Sequence, residues 1–156
     1  MWPFKKPSVS PFLAKGRKVT SAGLGAMLEA AGGEEGSPPP ISTADDGYWL
    51  MPEKELKAFI WKYHRLAGLP EYTPEVFDCE DFATSSRADI AKGQASENLP
   101  APLPWGTAEI VKPNGDAHAL NIAMTAEGKV LFYDPKIKTW YSSLPPGFAY
   151  VRDVQF

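Results

Sequence analysis

The chain has a single cysteine among its 156 residues, so no internal disulfide can form. His64 and His118 are its only histidines, and with one cysteine they exclude zinc sites built from four cysteines or from two cysteines and two histidines. The redox compartment therefore stays open. No apolar run reaches the length of a signal-peptide h-region or a membrane span, which predicts a chain without either, placed in the cytoplasm or in a larger particle assembled there. A formal net charge of −3 argues against a general nucleic-acid-binding surface.

What is present suits one folded domain. An apolar content of 44% is enough to build a core without covalent staples. Lys5, Lys6, Lys15, Arg17 and Lys18 crowd the first eighteen residues, which hold no acid. Pro3, Pro7 and Pro11 interrupt this stretch and no helical apolar face develops, so it reads as a solvated arm. A membrane surface or an acidic partner is its alternative contact. Residues 31–47, AGGEEGSPPPISTADDG, read as a linker, which divides the chain into a basic arm and Pro/Gly-rich linker over 1–47 and a body over 48–156.

In the body, Leu56, Phe59, Ile60, Tyr63 and Leu66 recur at three and four residues and predict one helical face over 52–66, opened by Pro52 and closed by Gly68. His64 falls off that stripe and reads as a surface histidine. A second helix is expected to start at Cys79, with Asp78 as N-cap and Asp81 as the carboxylate three positions on. Its apolar side is Phe82, Ala83, Ala88, Ile90 and Ala91, and its stop Gly93. Short strands follow in TAEIVK, AHALNIAM, KVLFYD and FAYVRDV, separated by Pro113-Asn114-Gly115-Asp116 and Ala126-Glu127-Gly128. Helices first and antiparallel strands after is an α+β order.

Cys79 opens a helix, where unpaired N–H groups and the dipole favour a thiolate, while the neighbouring acids oppose it. An imidazolium within reach would restore the balance. His118 is the candidate, with Asp134 at the end of the next strand to orient its ring. A three-residue glycine loop in TAEGK sets Leu120 opposite Asp134, which places His118 diagonal to that carboxylate on one sheet face. A one-residue slip would put the two on opposite faces. Asn121 then points to the other face and is expected to support backbone. Trp105, Trp140 and Tyr141 read either as core or as the lining of a groove.

DCEDFA, HALNIAM and FYDP, in that order, resemble the Cys-His-Asp core of transglutaminase-like and papain-like cysteine peptidases. The similarity is to the bacterial transglutaminase-like cysteine peptidases, with their CEDYA-type motif, and to the papain-like C-terminal domain of a mushroom agglutinin. It implies an α+β papain-like/transglutaminase-like fold, with N-terminal helices packed on a small antiparallel β-sheet. By position Cys79 resembles the nucleophile, His118 the general base and Asp134 the group that orients it. The upstream glutamine usual as second oxyanion donor is missing: Thr73 stands at that distance, with Tyr72 beside it. Glu80 and Asp81 read as dipole partners of the helix or, with Asp116, as a Ca2+ site of the kind the agglutinin-type relatives use; no other cofactor is implied.

The expected function is a cysteine hydrolase that cleaves a peptide or isopeptide amide through a thioester. Its substrate would be a peptide or protein, with no nucleic acid and no membrane span involved. The alternative is a binding or structural module of the same fold, catalytically lapsed and tethered by its N-terminal arm.

Overall fold

The computed structural model of the chain describes residues 10–29, 33, 37–65 and 69–156. Lys5 and Lys6 of the expected arm, and Leu66 and Gly68 of the expected helix end, lie outside them. The elements in chain order are β1 (Arg17–Thr20), α1 (Ser21–Leu28), β2 (Ile41–Ser42), β3 (Gly47–Leu50), α2 (Glu53–Tyr63), α3 (Cys79–Ser96), β4 (Trp105–Val111), β5 (Ala117–Met124), β6 (Val130–Asp134), β7 (Thr139–Tyr141) and β8 (Tyr150–Gln155).

Six strands form one sheet in the order β2-β8-β4-β5-β6-β7, and β1 pairs with β3 in a separate two-stranded ribbon. Every neighbour in the large sheet is antiparallel except β2 and β8. Alternation along β5 sends Leu120, Ile122 and Met124 to one face, where they join Leu24 and Leu28 of α1 in a buried cluster. Ala123 faces the other way, into a second cluster with Leu56, Phe59 and Ile60 of α2 and Ile90 of α3. The sheet is thus covered on both faces.

These observations correct the expected architecture. Strands, not helices, open the described chain, and the helices are divided between the two faces instead of forming one N-terminal layer. The reason lies in residues read as arm and linker. Leu24 and Leu28 are fully buried, and Ile41 packs against the same cluster from the edge strand β2. Thr20 caps α1 by accepting the Gly23 N–H at 3.2 Å. Residues 10–15 are also held: Phe12 meets Phe59 edge to face at 5.0 Å, and Ser10 donates to Glu97 at 2.7 Å. Apolar side chains scattered at low density through a Pro/Gly-rich stretch gave no periodic signal, yet they cover sheet that would otherwise face water.

Two helix expectations change in detail. Helix α3 runs past Gly93 to Ser96, because Gly93 is where α2 crosses it: a Cβ there would collide with the Tyr63 ring. Its buried side is Phe82, Ala83, Ser86, Ile90 and Gly93, while Ala88 and Ala91 face solvent. His64, read as a surface residue, is buried as the C-cap of α2. Its Nδ1 lies 3.0 Å from the Tyr133 hydroxyl. Burial holds the His64 pKa below its ordinary value, so it is a neutral structural histidine.

Candidate functional site at the start of helix α3

Asp78 accepts the Glu80 N–H at 3.1 Å, and Asp81 reaches back to accept the Asp78 N–H at 3.1 Å, a closed capping box. The cap fixes where the helix begins and hence where Cys79 points. On the sheet side, Asn121 donates to Ala83 O at 3.0 Å and to Gly106 O at 3.1 Å, tying the first turns of α3 to β4.

The turn from β5 to β6 closes with Thr125 donating to Lys129 and Gly128 donating to Thr125, both at 3.0 Å, and Gly128 takes a φ of +82°. Asn121 consequently pairs with Tyr133, the register in which His118 and Asp134 share a face. His118 Nε2 lies 3.1 Å from Asp134 Oδ2. Asp134 is fixed in turn, since its Oδ1 accepts the Lys136 N–H at 3.0 Å and the Ile137 N–H at 3.4 Å.

Helix α3 lies on the sheet face opposite His118, so the thiol has to come round an edge. The β5–β6 ladder extends only from Asn121 to Met124, which leaves Ala119 free of β6. The Cys79 Sγ fills that gap and accepts the Ala119 N–H at 3.3 Å. There His118 is the main influence holding the thiol pKa below its ordinary value; burial opposes the shift and the Ala119 N–H assists it. The His118 pKa is pushed up to about 9, first by its bond to Asp134 and then by Cys79. For Asp134, burial is the largest influence and pushes upward. The His118 bond and charge and the two turn N–H groups outweigh it, so the carboxyl stays below its ordinary range. The set thus favours the charged forms: the thiol and the carboxyl are shifted down and the imidazole up.

Two recesses adjoin this set. One, of about 360 Å³, lies on the His118 side and is lined by Lys112, Asp134, Tyr141, Pro145 and Phe148. The Phe148 ring stacks on His118 at 5.9 Å. The other, of about 210 Å³, lies beside the first turns of α3 with Glu80, Glu109 and Asp153 in its wall. Chemically the centre offers a nucleophilic sulfur, a proton donor beside it and a polarised recess.

Sequence reasoning named Cys79, His118 and Asp134, and the structure brings the three together. It does not gather Glu80, Asp81 and Asp116. Asp81 is committed to the cap, and Asp116 sits in the exposed β4–β5 turn, bonded to Asn114 at 2.8 Å. Among the described residues no group of three or more His, Cys, Asp or Glu side chains is placed to hold a metal ion. Trp105 is core, packed on Tyr133 and Trp140, whereas Tyr141 reaches the recess. The Ala119 N–H and Phe148 went unnoticed. A backbone group carries no sequence signal, and Phe148 arrives from a loop with no periodicity.

A helix-opening thiol, a strand imidazole and a carboxylate at the next strand's end, set beside a recess, define an α+β domain with a Cys-His-Asp cluster. Residues 48–140 match the family described as Agglutinin C-terminal, and the chain belongs to that family. Among solved structures it is similar to one titled PSL1a-E64 complex, with 26% identity and a TM-score of 0.70, covering 89% of this chain and 50% of that one. It is also similar to the Polyporus squamosus lectin bound to the human-type influenza-binding epitope Neu5Acα2-6Galβ1-4GlcNAc, with 24% identity and a TM-score of 0.69, covering 89% and 49%. The chain thus spans about half the length of each. No curated protein matches it.

These findings correct the motif-based assignment. Of the resemblances drawn from the motifs, the agglutinin C-terminal domain is the one the family model matches; the papain-like and transglutaminase-like cysteine peptidase assignment gives way to it, and a lectin stands among the structural neighbours. The expectation of a cysteine hydrolase acting on a peptide or protein is overturned with it, and the binding-module alternative fits better. Among the described residues no helix is long and apolar enough to cross a membrane.

Proposed function

We propose that this domain is a carbohydrate-binding module whose ligand lies in the recess beside His118, next to the residue that partners Cys79. The observation that carries the reading is the placing of His118, held by Asp134 and stacked on Phe148, at the wall of that recess. The family and the glycan-bound lectin support the ligand class. In this role His118 and Asp134 give a sugar's hydroxyls a donor and an acceptor, and Phe148 and Tyr141 give its C–H faces an apolar wall.

Competition between a sugar and a thiol label tests the reading. Cys79 is labelled with iodoacetamide at pH 6.5 while the trisaccharide Neu5Acα2-6Galβ1-4GlcNAc is titrated in. Labelling slows with the occupancy measured by calorimetry. A trisaccharide that does not bind, or binds without slowing the label, overturns the proposal.

A further inference from the structure

Helix α2 ends on a histidine that the reactive centre does not use. His64 is only 7% exposed at the C-cap, where its backbone N–H closes the helix on Ile60 O at 2.8 Å. Its ring stands edge-on to Tyr133 of β6, with Nδ1 3.0 Å from the hydroxyl. Tyr133 is fixed in turn by packing on Trp105 and Trp140. The other ring nitrogen, Nε2, is buried and has no hydrogen-bond partner among the described residues. One imidazole thus joins the end of α2 to the sheet, with one of its two nitrogens enclosed and unpaired.

Three elements bring titratable groups to this ring. Asp89 of α3 favours protonation, but its carboxylate already accepts the Arg65 N–H at 3.0 Å and lies 3.9 Å from the Lys92 ammonium. Lys138, in the β6–β7 turn, opposes protonation. Tyr133 stays a neutral phenol, because burial pushes its pKa up to about 12. The C-terminal end of the α2 dipole favours a cation. Burial outweighs Asp89 and the dipole. The reason is geometric: an imidazolium donates from both nitrogens, and an Nε2–H in that enclosure would have nothing to donate to.

We propose that His64 is an acid-released latch: neutral, it holds the last turn of α2 against β6, and in mildly acidic solution the protonated ring leaves its enclosure for water and frees that turn. The opening is local. Tyr63, whose ring fills the space over Gly93, lies in the same turn, so the crossing of α2 on α3 loosens with it, while α1 on the opposite sheet face keeps its contacts. A histidine whose folded-state pKa lies below its ordinary 6.5 stabilises the fold in full above that pH, and the contribution is lost as pH falls below it. The latch is independent of what the recess beside His118 binds.

Two measurements on the full wild-type chain test it. In a proton NMR titration the His64 ring signal has its midpoint below 6.5, apart from that of His118. In hydrogen exchange, corrected for the intrinsic pH dependence, the amides of residues 60–64 lose protection at pH 5 relative to pH 7.5 while those of α1 keep theirs. Urea unfolding of His64→Gln adds a third. Between pH 7.5 and pH 5 the wild type loses severalfold in folding constant relative to the variant, to a limit of about thirtyfold for a histidine that cannot be protonated while folded. The comparison cancels His118, whose pKa of about 9 moves stability the other way over this range. A His64 midpoint at or above 6.5, unchanged protection at residues 60–64, or protection lost equally in α1 overturns the proposal, and so do parallel urea curves. The first two measurements need no variant and decide the matter even if His64→Gln does not fold.

Discussion

Asp134→Asn separates charge from shape at the reactive centre. The Asp134 Oδ1 atom accepts the Lys136 and Ile137 N–H groups, and the amide oxygen of asparagine accepts them equally, so the turn survives. At the second position an NH2 group replaces Oδ2, 3.1 Å from His118 Nε2. A donor there forces Nε2 to accept, and the ring can no longer be an imidazolium in that geometry. Asp134 is the first cause of the His118 pKa of about 9, so the substitution returns the ring toward its ordinary value near 6.5. His118 is the first cause of the lowered Cys79 pKa, so the thiol rises in step. An ordinary thiol of pKa about 8.5 is only about 1% thiolate at pH 6.5, and each unit of change is tenfold in that fraction. Iodoacetamide labelling of Cys79 at pH 6.5 should therefore slow by about tenfold or more in D134N. The rate should recover toward wild type near pH 9.5, where any thiol ionises. Labelling indistinguishable from wild type across pH 5.5–9.5, with circular dichroism unchanged, would refute the coupling.

Gly93→Ala should destabilise the domain by about 1–3 kcal/mol in urea unfolding, because the collision with Tyr63 outweighs the higher helix propensity of alanine; a stabilised variant would contradict the packing of α2 on α3. Leu24→Ala should cost about 2–5 kcal/mol in the same assay, and a near-zero change would return residues 17–28 to the status of a loose arm. The Glu97 carboxyl is held at about 2 by Lys62, Tyr63 and Ser10. Its folded pKa lies below its unfolded one, so its contribution is present above about pH 4.3 and is lost as pH falls through 2. Wild type should lose on the order of 1 kcal/mol more than E97Q between pH 5 and pH 2, and parallel curves would exclude the clamp.

Local chemistry was legible from the sequence wherever a short stretch acts by itself. Asp78 and Asp81 close a capping box within one turn, so the start of α3 and the place of Cys79 could be read directly. The glycine loop at Gly128 dictates the β5–β6 register, and the register decides that His118 and Asp134 share a face. What depends on distant segments was not legible. The burial of Leu24, Leu28 and Ile41 comes from sheet faces that exist only once β4, β5 and β8 have assembled. His64 is buried because Tyr133 and the sheet lie over it, and Gly93 is glycine because another helix crosses there. Whether three carboxylates gather is likewise a tertiary matter: Asp81 was already committed to its helix, and the β4–β5 turn carries Asp116 at its exposed tip. The route by which the thiol meets the imidazole was the least readable of all. It depends on β6 ending early enough to leave the Ala119 N–H open to sulfur, and a strand's end is set by its neighbours in space.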